Sequence, residues 1–338
     1  MAGLSNAHPQ HGGNLHQAVA TYGIPRSDWL DLSTGIAPWP WPVPPLPAEV
    51  WQRLPEADGA LEQAAQACYG APALPIPGSQ WAIQQLPTLV TPRRVWMARE
   101  SYEEYRFWWQ QQGHQLMPFI DLPTPDQLQD HDVVIVINPN NPTGSQHSPQ
   151  ALLAVAQALE SLQGWLIVDE AFMDATPDQS LLPLLHPDQP VTVLRSLGKF
   201  FGLAGIRTGF VLGNANVCST LLERLGPWAV SHPAQHIATL ALTDHQWHTD
   251  QRRRLEAGSL QLLQQVQACF PAQAISASRL FVSLHLPDGQ AARWHDALAR
   301  QGIWTRLFPH WERLRIGLAD AAGLERLAAA LNGAKDTT

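Results

Sequence analysis

The run Val133–Ile137, VVIVI, constrains this chain more than any other segment. Its residues are all apolar and β-branched, with no polar residue at alternate positions. The strand it predicts must therefore be buried on both faces. It ends in Asn138-Pro139-Asn140-Asn141-Pro142-Thr143-Gly144, which is turn chemistry. Shorter apolar runs recur at 95–98, 166–168, 191–194 and 210–212, with helical patterns at 102–112 and 151–162. This alternation predicts an α/β fold built on a mainly parallel sheet covered on both sides. Ligands of such sheets sit beyond the carboxyl ends of the strands, so the residues that follow each strand are the candidates for chemistry.

At 338 residues, and at roughly 150 residues per domain, the chain predicts two domains. Residues 48–220 carry the alternating pattern and form the large domain. From 221 onward a long helix (250–269), an alternating strand (280–286), a helix (291–301), strands near 304 and over 314–317, and a last helix (323–331) predict a small α+β domain, 221–338. Residues 1–47 are rich in Pro and Trp and end in PWPWPVPPLP. Prolines exclude a helix and predict an extended arm. Trp29, Trp39 and Trp41 are costly to leave in water, so the arm is expected to dock on the body and to contribute to the substrate site.

Composition removes several classes. The net charge of −8 speaks against a nucleic-acid binder, which shows a basic face. With 45% apolar and only 15% charged residues the chain is no disordered segment. It has no apolar run long enough for a membrane span, and its beginning lacks the basic and apolar regions of a secretory leader. Cys68, Cys218 and Cys269 are scattered without CxxC spacing, and the histidines show no HExxH, so neither disulfides nor a metal site is expected.

After VVIVI comes Asn141; after the strand at 166–168 comes Asp169-Glu170-Ala171-Phe172; after that at 191–194 come Ser196 and Lys199, with Arg207 eight residues on. Each alone is weak, but together they suit one cofactor. Pyridoxal 5′-phosphate needs a lysine amine for its aldehyde, a carboxylate for its ring nitrogen, a donor for its ring oxygen, and hydroxyls, amides and an arginine for its phosphate.

NPNNPTG, VDEAF and SLGKFFGLAGIR strongly resemble the fold-type I, aspartate aminotransferase-like, pyridoxal-phosphate enzymes. The resemblance implies that Lys199 carries the cofactor, Asp169 faces its ring nitrogen, Asn141 its ring oxygen, and Ser196 and Arg207 its phosphate. Gly78-Ser79-Gln80, at a helix start, should complete the phosphate cup. Tyr102, in SYEEY, matches the aromatic residue that stacks on the ring. The superfamily's fold and its homodimeric assembly are implied with it. Two departures stand out. Phe172 replaces the Tyr of many relatives, leaving Asn141 as the main partner of the ring oxygen. Arg53-Leu54-Pro55 lacks the Tyr that often reaches the neighbouring subunit's phosphate.

His11-Gly12-Gly13-Asn14 and the D-x-S-x-x-I-x-P arm from Asp31 to Pro38 resemble the threonine-phosphate decarboxylases of cobalamin biosynthesis. That resemblance implies a cytoplasmic lyase acting on a phosphorylated amino acid. His11, Gly12, Thr34, Gly35 and Asn141 would lie at the substrate, with Arg306 at its phosphate and Arg315 at its carboxylate. Planar guanidinium groups suit both. Arg313 lies on the same strand face as Arg315, so only the motif chooses between them. Gly35 and Ala37 stand where many such relatives have Asn. A histidinol-phosphate aminotransferase-like activity shares the core motifs and stays as the alternative. A catalytically silent scaffold is disfavoured by the intact lysine, aspartate, asparagine and arginine.

Overall fold

The computed structural model describes residues 8–56, 58–186 and 188–334. Residues 1–7, where the leader expectation was read, lie outside them. In chain order the strands are β1 (Leu30–Asp31), β2 (Ala73–Ile76), β3 (Arg94–Ala98), β4 (Gln115–Phe119), β5 (Val133–Ile137), β6 (Trp165–Asp169), β7 (Val191–Ser196) and β8 (Gly209–Gly213). Then follow β9 (Ile275–Ala277), β10 (Phe281–His285), β11 (Ile303–Trp304), β12 (Arg306–Phe308) and β13 (Arg313–Gly317).

The large sheet has the order β2-β8-β7-β6-β5-β3-β4. All its strands run parallel except β8, which is antiparallel to β7 and β2. β5 shows why the apolar run is continuous: Val133, Ile135 and Ile137 pack into one core and Val134 and Val136 into another, on the opposite face. The helix Pro149–Ser161 covers the second face with Leu152, Val155, Ala156 and Leu159. Ser148 caps it by accepting from the Ala151 N–H, and Pro149 opens its first turn. The helix Glu103–Gln111 covers the first face with Tyr105 and Trp109. Sequence patterning missed β2 and β4, which are the two edges of the sheet. Edges tolerate proline and polar residues, and ALPI and QLMPF carry Pro75 and Pro118.

The carboxyl-terminal region folds an antiparallel sheet, β12-β13-β10-β9, against the helices His245–Gln267, Gln290–Ala299 and Ala321–Ala334. β10, expected as an alternating half-buried strand, is buried at Phe281, Val282, Ser283 and Leu284, because it lies between β13 and β9.

The arm departs from the extended expectation in one place. Leu15–Tyr22 is a helix, capped by the Asn14 side chain and closed by Gly23 in the left-handed region. The prolines lie outside it, at Pro9, at Pro25 and from Pro38 onward, so nothing in this stretch resists helix. The Pro-rich stretch 38–47 is irregular. β1 pairs in parallel with β11. Trp29 and Trp41 are buried, and the Trp41 indole donates to Asp244 Oδ2 at 3.1 Å. Further along, the Ala37 N–H donates to the Lys199 carbonyl at 3.0 Å and the Trp41 N–H to the Phe201 carbonyl at 2.9 Å. Between these anchors a Cβ at Gly35 would fall 2.8 Å from Phe172 Cε1, so only glycine lets the arm pass.

Candidate active site

The functional side chains converge where the parallel strands end. Asp169 closes β6 and sits between Ile137 of β5 and Leu194 of β7. It is buried, with its Oδ2 accepting from the Tyr105 hydroxyl at 2.9 Å and its Oδ1 from the Ala171 N–H at 3.0 Å. Burial raises its pKa above the usual carboxylate range, opposed by those hydrogen bonds and by Lys199. Its neighbour Glu170 is neutralised separately, by Arg195 at 2.8 Å.

Lys199 lines a cavity with Tyr102, Asn141, Arg306 and Arg315. Its ammonium lies 5.3 Å from the centre of the Phe172 ring. Burial, and then Arg315, push its pKa down to about 8, against the pull of Asp169. A lysine so placed is readily neutral and nucleophilic. Asn141 Oδ1 accepts from Arg315 Nη1 at 2.6 Å, which turns its amide nitrogen toward other acceptors.

Beside the cavity, register brings the phosphate-cup residues together. Gly209 of β8 pairs with both Ile76 of β2 and Ser196 of β7, so Gly78, Ser196 and Arg207 meet at one sheet end. Gly78 has φ +82°, and a Cβ there would fall 2.9 Å from Arg207 Nη2. Glycine is therefore required for the guanidinium to lie over the start of the helix Ser79–Gln85. The first N–H groups of a helix have no intrahelical acceptor. Ser196 Oγ accepts from the Gly198 N–H at 3.2 Å. The side chain of Gln80 is engaged elsewhere: it donates to Glu104 and accepts from the Tyr102 hydroxyl.

The opposite wall comes from the arm and the carboxyl-terminal sheet. His11, Gly12, Thr34, Gly35 and Ile36 line the cavity. Gly13 N–H donates to Ser33 Oγ at 2.7 Å, and Ser33 is held by Asp31. Arg306, from β12, donates to the Gln10 carbonyl and lies 4.8 Å from the Phe308 ring. Arg315, from β13, is buried; its Nη2 donates to the Ser33 carbonyl at 2.7 Å, while its Nε has no partner among the described residues. Arg313 is spent on an ion pair with Glu100, so of the two arginines only Arg315 faces the cavity.

Sequence reasoning missed Tyr105, Ser33, Glu104 and Phe308. Tyr105 had a signal: it follows Tyr102 by one helical turn in SYEEY. Ser33 lay inside the quoted D-x-S pattern. Glu104 and Phe308 had none. The cysteines are unpaired and half-buried; burial pushes Cys68 up to about 12 and Cys218 up to about 11, away from thiolate chemistry. Among the described residues no cluster of His, Cys, Asp and Glu could hold a metal ion.

A mainly parallel sheet with a buried strand-end acid and a cavity lysine defines a class, and the comparisons agree. Residues 60–331 match the aminotransferase class I and II family, and the chain belongs to that family. Within it, the chain is 47% identical over 329 residues to threonine-phosphate decarboxylase of Pseudomonas aeruginosa, covering 97% of this chain and 98% of that one. It is 39% identical to the threonine-phosphate decarboxylase of a Sinorhizobium species, over 95% of this chain and 97% of the relative. The fold is shared with histidinol-phosphate aminotransferase of Sinorhizobium meliloti, solved with pyridoxal 5′-phosphate. There the TM-score is 0.74 at 22% identity, over 86% of this chain and 84% of that one.

Proposed function

We propose that this chain decarboxylates O-phospho-L-threonine with pyridoxal 5′-phosphate, releasing CO₂ and (R)-1-aminopropan-2-yl phosphate for cobalamin biosynthesis. The observation that carries this reading is the end-to-end 47% identity to a threonine-phosphate decarboxylase.

The residues fit the cofactor on physical grounds. A buried acid raised by desolvation calls for a cationic partner, which a protonated ring nitrogen would supply to Asp169. The cup at Gly78, Ser79, Ser196 and Arg207 would be filled by a single Cβ at Gly78, and it offers an arginine and a helix start to an anion. When bound, the cofactor supplies the electron sink for the bond broken at the substrate Cα.

The chain's own groups do the rest. Lys199 Nζ would hold the cofactor aldehyde, its burial favouring the neutral amine, and Lys199 or a water would return the proton to Cα. Asp169 would set negative charge against the ring nitrogen. The Asn141 amide, oriented by Arg315, would donate to the ring oxygen. The Tyr102 ring would stack on the cofactor. On the substrate side, the Arg315 guanidinium, which lines the cavity, would meet the carboxylate, backed by the Thr34–Ile36 backbone. His11 and Arg306 take the phosphate. Gripping both ends orients the carboxylate-bearing bond across the ring plane, as decarboxylation requires. Phe172 contributes a hydroxyl-free wall beside Lys199.

The reading includes a homodimer in the cytoplasm. Trp51, Leu54 and Leu240 are exposed apolar side chains on packed neighbouring segments, a surface suited to a second copy. No helix among the described residues is long and apolar enough to cross a membrane.

The test is CO₂ release from O-phospho-L-threonine by the cofactor-loaded protein without any 2-oxo acid, beside histidinol phosphate with 2-oxoglutarate. The expected result is CO₂ with stoichiometric aminopropanol phosphate. Glutamate from the second tube and no CO₂ from the first would make the chain an aminotransferase.

A further inference from the structure

One carboxylate outside the expected set ties the two anion corners together. The Glu104 side chain is only 7% exposed. Its Oε1 accepts from His11 Nε2 at 2.7 Å. Its Oε2 accepts from the Trp108 indole at 2.8 Å and from Gln80 Nε2. Gln80 in turn accepts from the Tyr102 hydroxyl at 3.2 Å, and the His11 ring lies 5.8 Å from the Tyr102 ring. Glu104 thus gathers donors from the arm, from the helix Ser79–Gln85 and from its own helix, Glu103–Gln111.

Helix-dipole stabilisation does not account for this. A carboxylate in a first turn is favoured, but Glu103 already supplies one there from a more exposed position. Nor does it suit anion binding directly, since a buried acid beside two phosphate corners repels phosphate. Its three hydrogen bonds hold it below the usual carboxylate range despite burial, so it stays charged. The cost is offset only if that charge sets the donors in place.

We propose that Glu104 is a positioning residue that serves both corners. It accepts from the Nε2–H of His11, and with the ring doubly protonated the Nδ1–H is left to donate to the substrate phosphate. It also immobilises the side chain of Gln80, which follows Gly78 and Ser79 in the chain. The substrate half of this inference rests on the proposed decarboxylase reading.

The test compares the cofactor-loaded native protein with Glu104→Gln, His11→Asn and the double variant. Glu104→Gln keeps volume but sets an N–H against one of the donors. Its KM for O-phospho-L-threonine rises about tenfold while kcat stays within about threefold, the signature of lost binding rather than lost chemistry. Inhibition by inorganic phosphate weakens by the same factor. In the His11→Asn background the KM effect falls below about twofold, because the two residues act as one unit. Unchanged KM and phosphate inhibition in Glu104→Gln, or a full effect without His11, overturns the inference.

Calorimetric binding of inorganic phosphate needs no turnover. If the native protein releases no CO₂, the functional reading fails, while phosphate binding by Glu104→Gln against native still decides the role of Glu104. If Glu104→Gln does not fold, Glu104→Asp keeps the charge and shortens the reach. Its losses run in the same direction and are smaller, and native values overturn the inference.

Discussion

The two ends of the cavity are built on different principles. The cofactor end stands on the ends of buried central strands: Asp169 is locked by Tyr105 and Ala171, with register partners on both sides. The substrate end is assembled from distant parts of the chain. His11 comes from the arm and is nearly half exposed, Arg306 from β12 and Arg315 from β13, and they are held mainly by main-chain carbonyls of Gln10 and Ser33. Adjacent strands of one sheet build the first end, whereas the second exists only where segments far apart in the chain meet. The ends meet where Arg315 donates to Asn141, and again through Glu104, which joins His11 to Gln80.

That division can be broken by experiment. Lys199→Ala should cost at least about a thousandfold in kcat and remove the cofactor's lysine-bound absorbance; turnover near native would place the chemistry elsewhere. Asp169→Asn removes the buried charge while keeping its shape. It should lower kcat about a hundredfold or more with cofactor still bound weakly, and native turnover would reduce Asp169 to a structural cap. Arg315→Lys loses the planar fork. It should lower kcat/KM about ten- to a hundredfold, mostly through KM, with the cofactor spectrum kept. A variant that sheds the cofactor would mean the two ends are not separable. The smallest effect is a shift in pH. Capture of the cofactor aldehyde needs the neutral amine, and burial and Arg315 lower Lys199 to about 8. The capture rate of the cofactor-free protein should therefore climb as pH rises through about 8. Stopped-flow absorbance with a midpoint at the usual ~10.4 of lysine would show that the amine is not desolvated in this way.

The same contrast sorts what was legible in the sequence. VVIVI, VDEAF and the Ser196–Lys199 run were readable because central parallel strands write buried faces as continuous apolar runs and end at functional residues. β2 and β4 were not, because edges carry no such run. The helix Leu15–Tyr22 was hidden by prolines that flank it rather than enter it. Gly35 could be seen as a departure, but its reason, the nearness of Phe172 and Phe281, exists only once segments from three parts of the chain meet. Glu104 is of the same kind: its partners lie 93 and 24 residues away.

The arm is fastened on both sides of its cavity segment. Leu30 and Leu32 donate to Gly302 and Trp304 of the carboxyl-terminal region, whereas Ala37 and Trp41 donate to Lys199 and Phe201 of the large one. Only residues 33–36 span the interval, and all four line the cavity. The segment that lines the cavity is thus a short span pinned on both sides by main-chain hydrogen bonds, so its course is set by backbone pairing rather than by its own side chains.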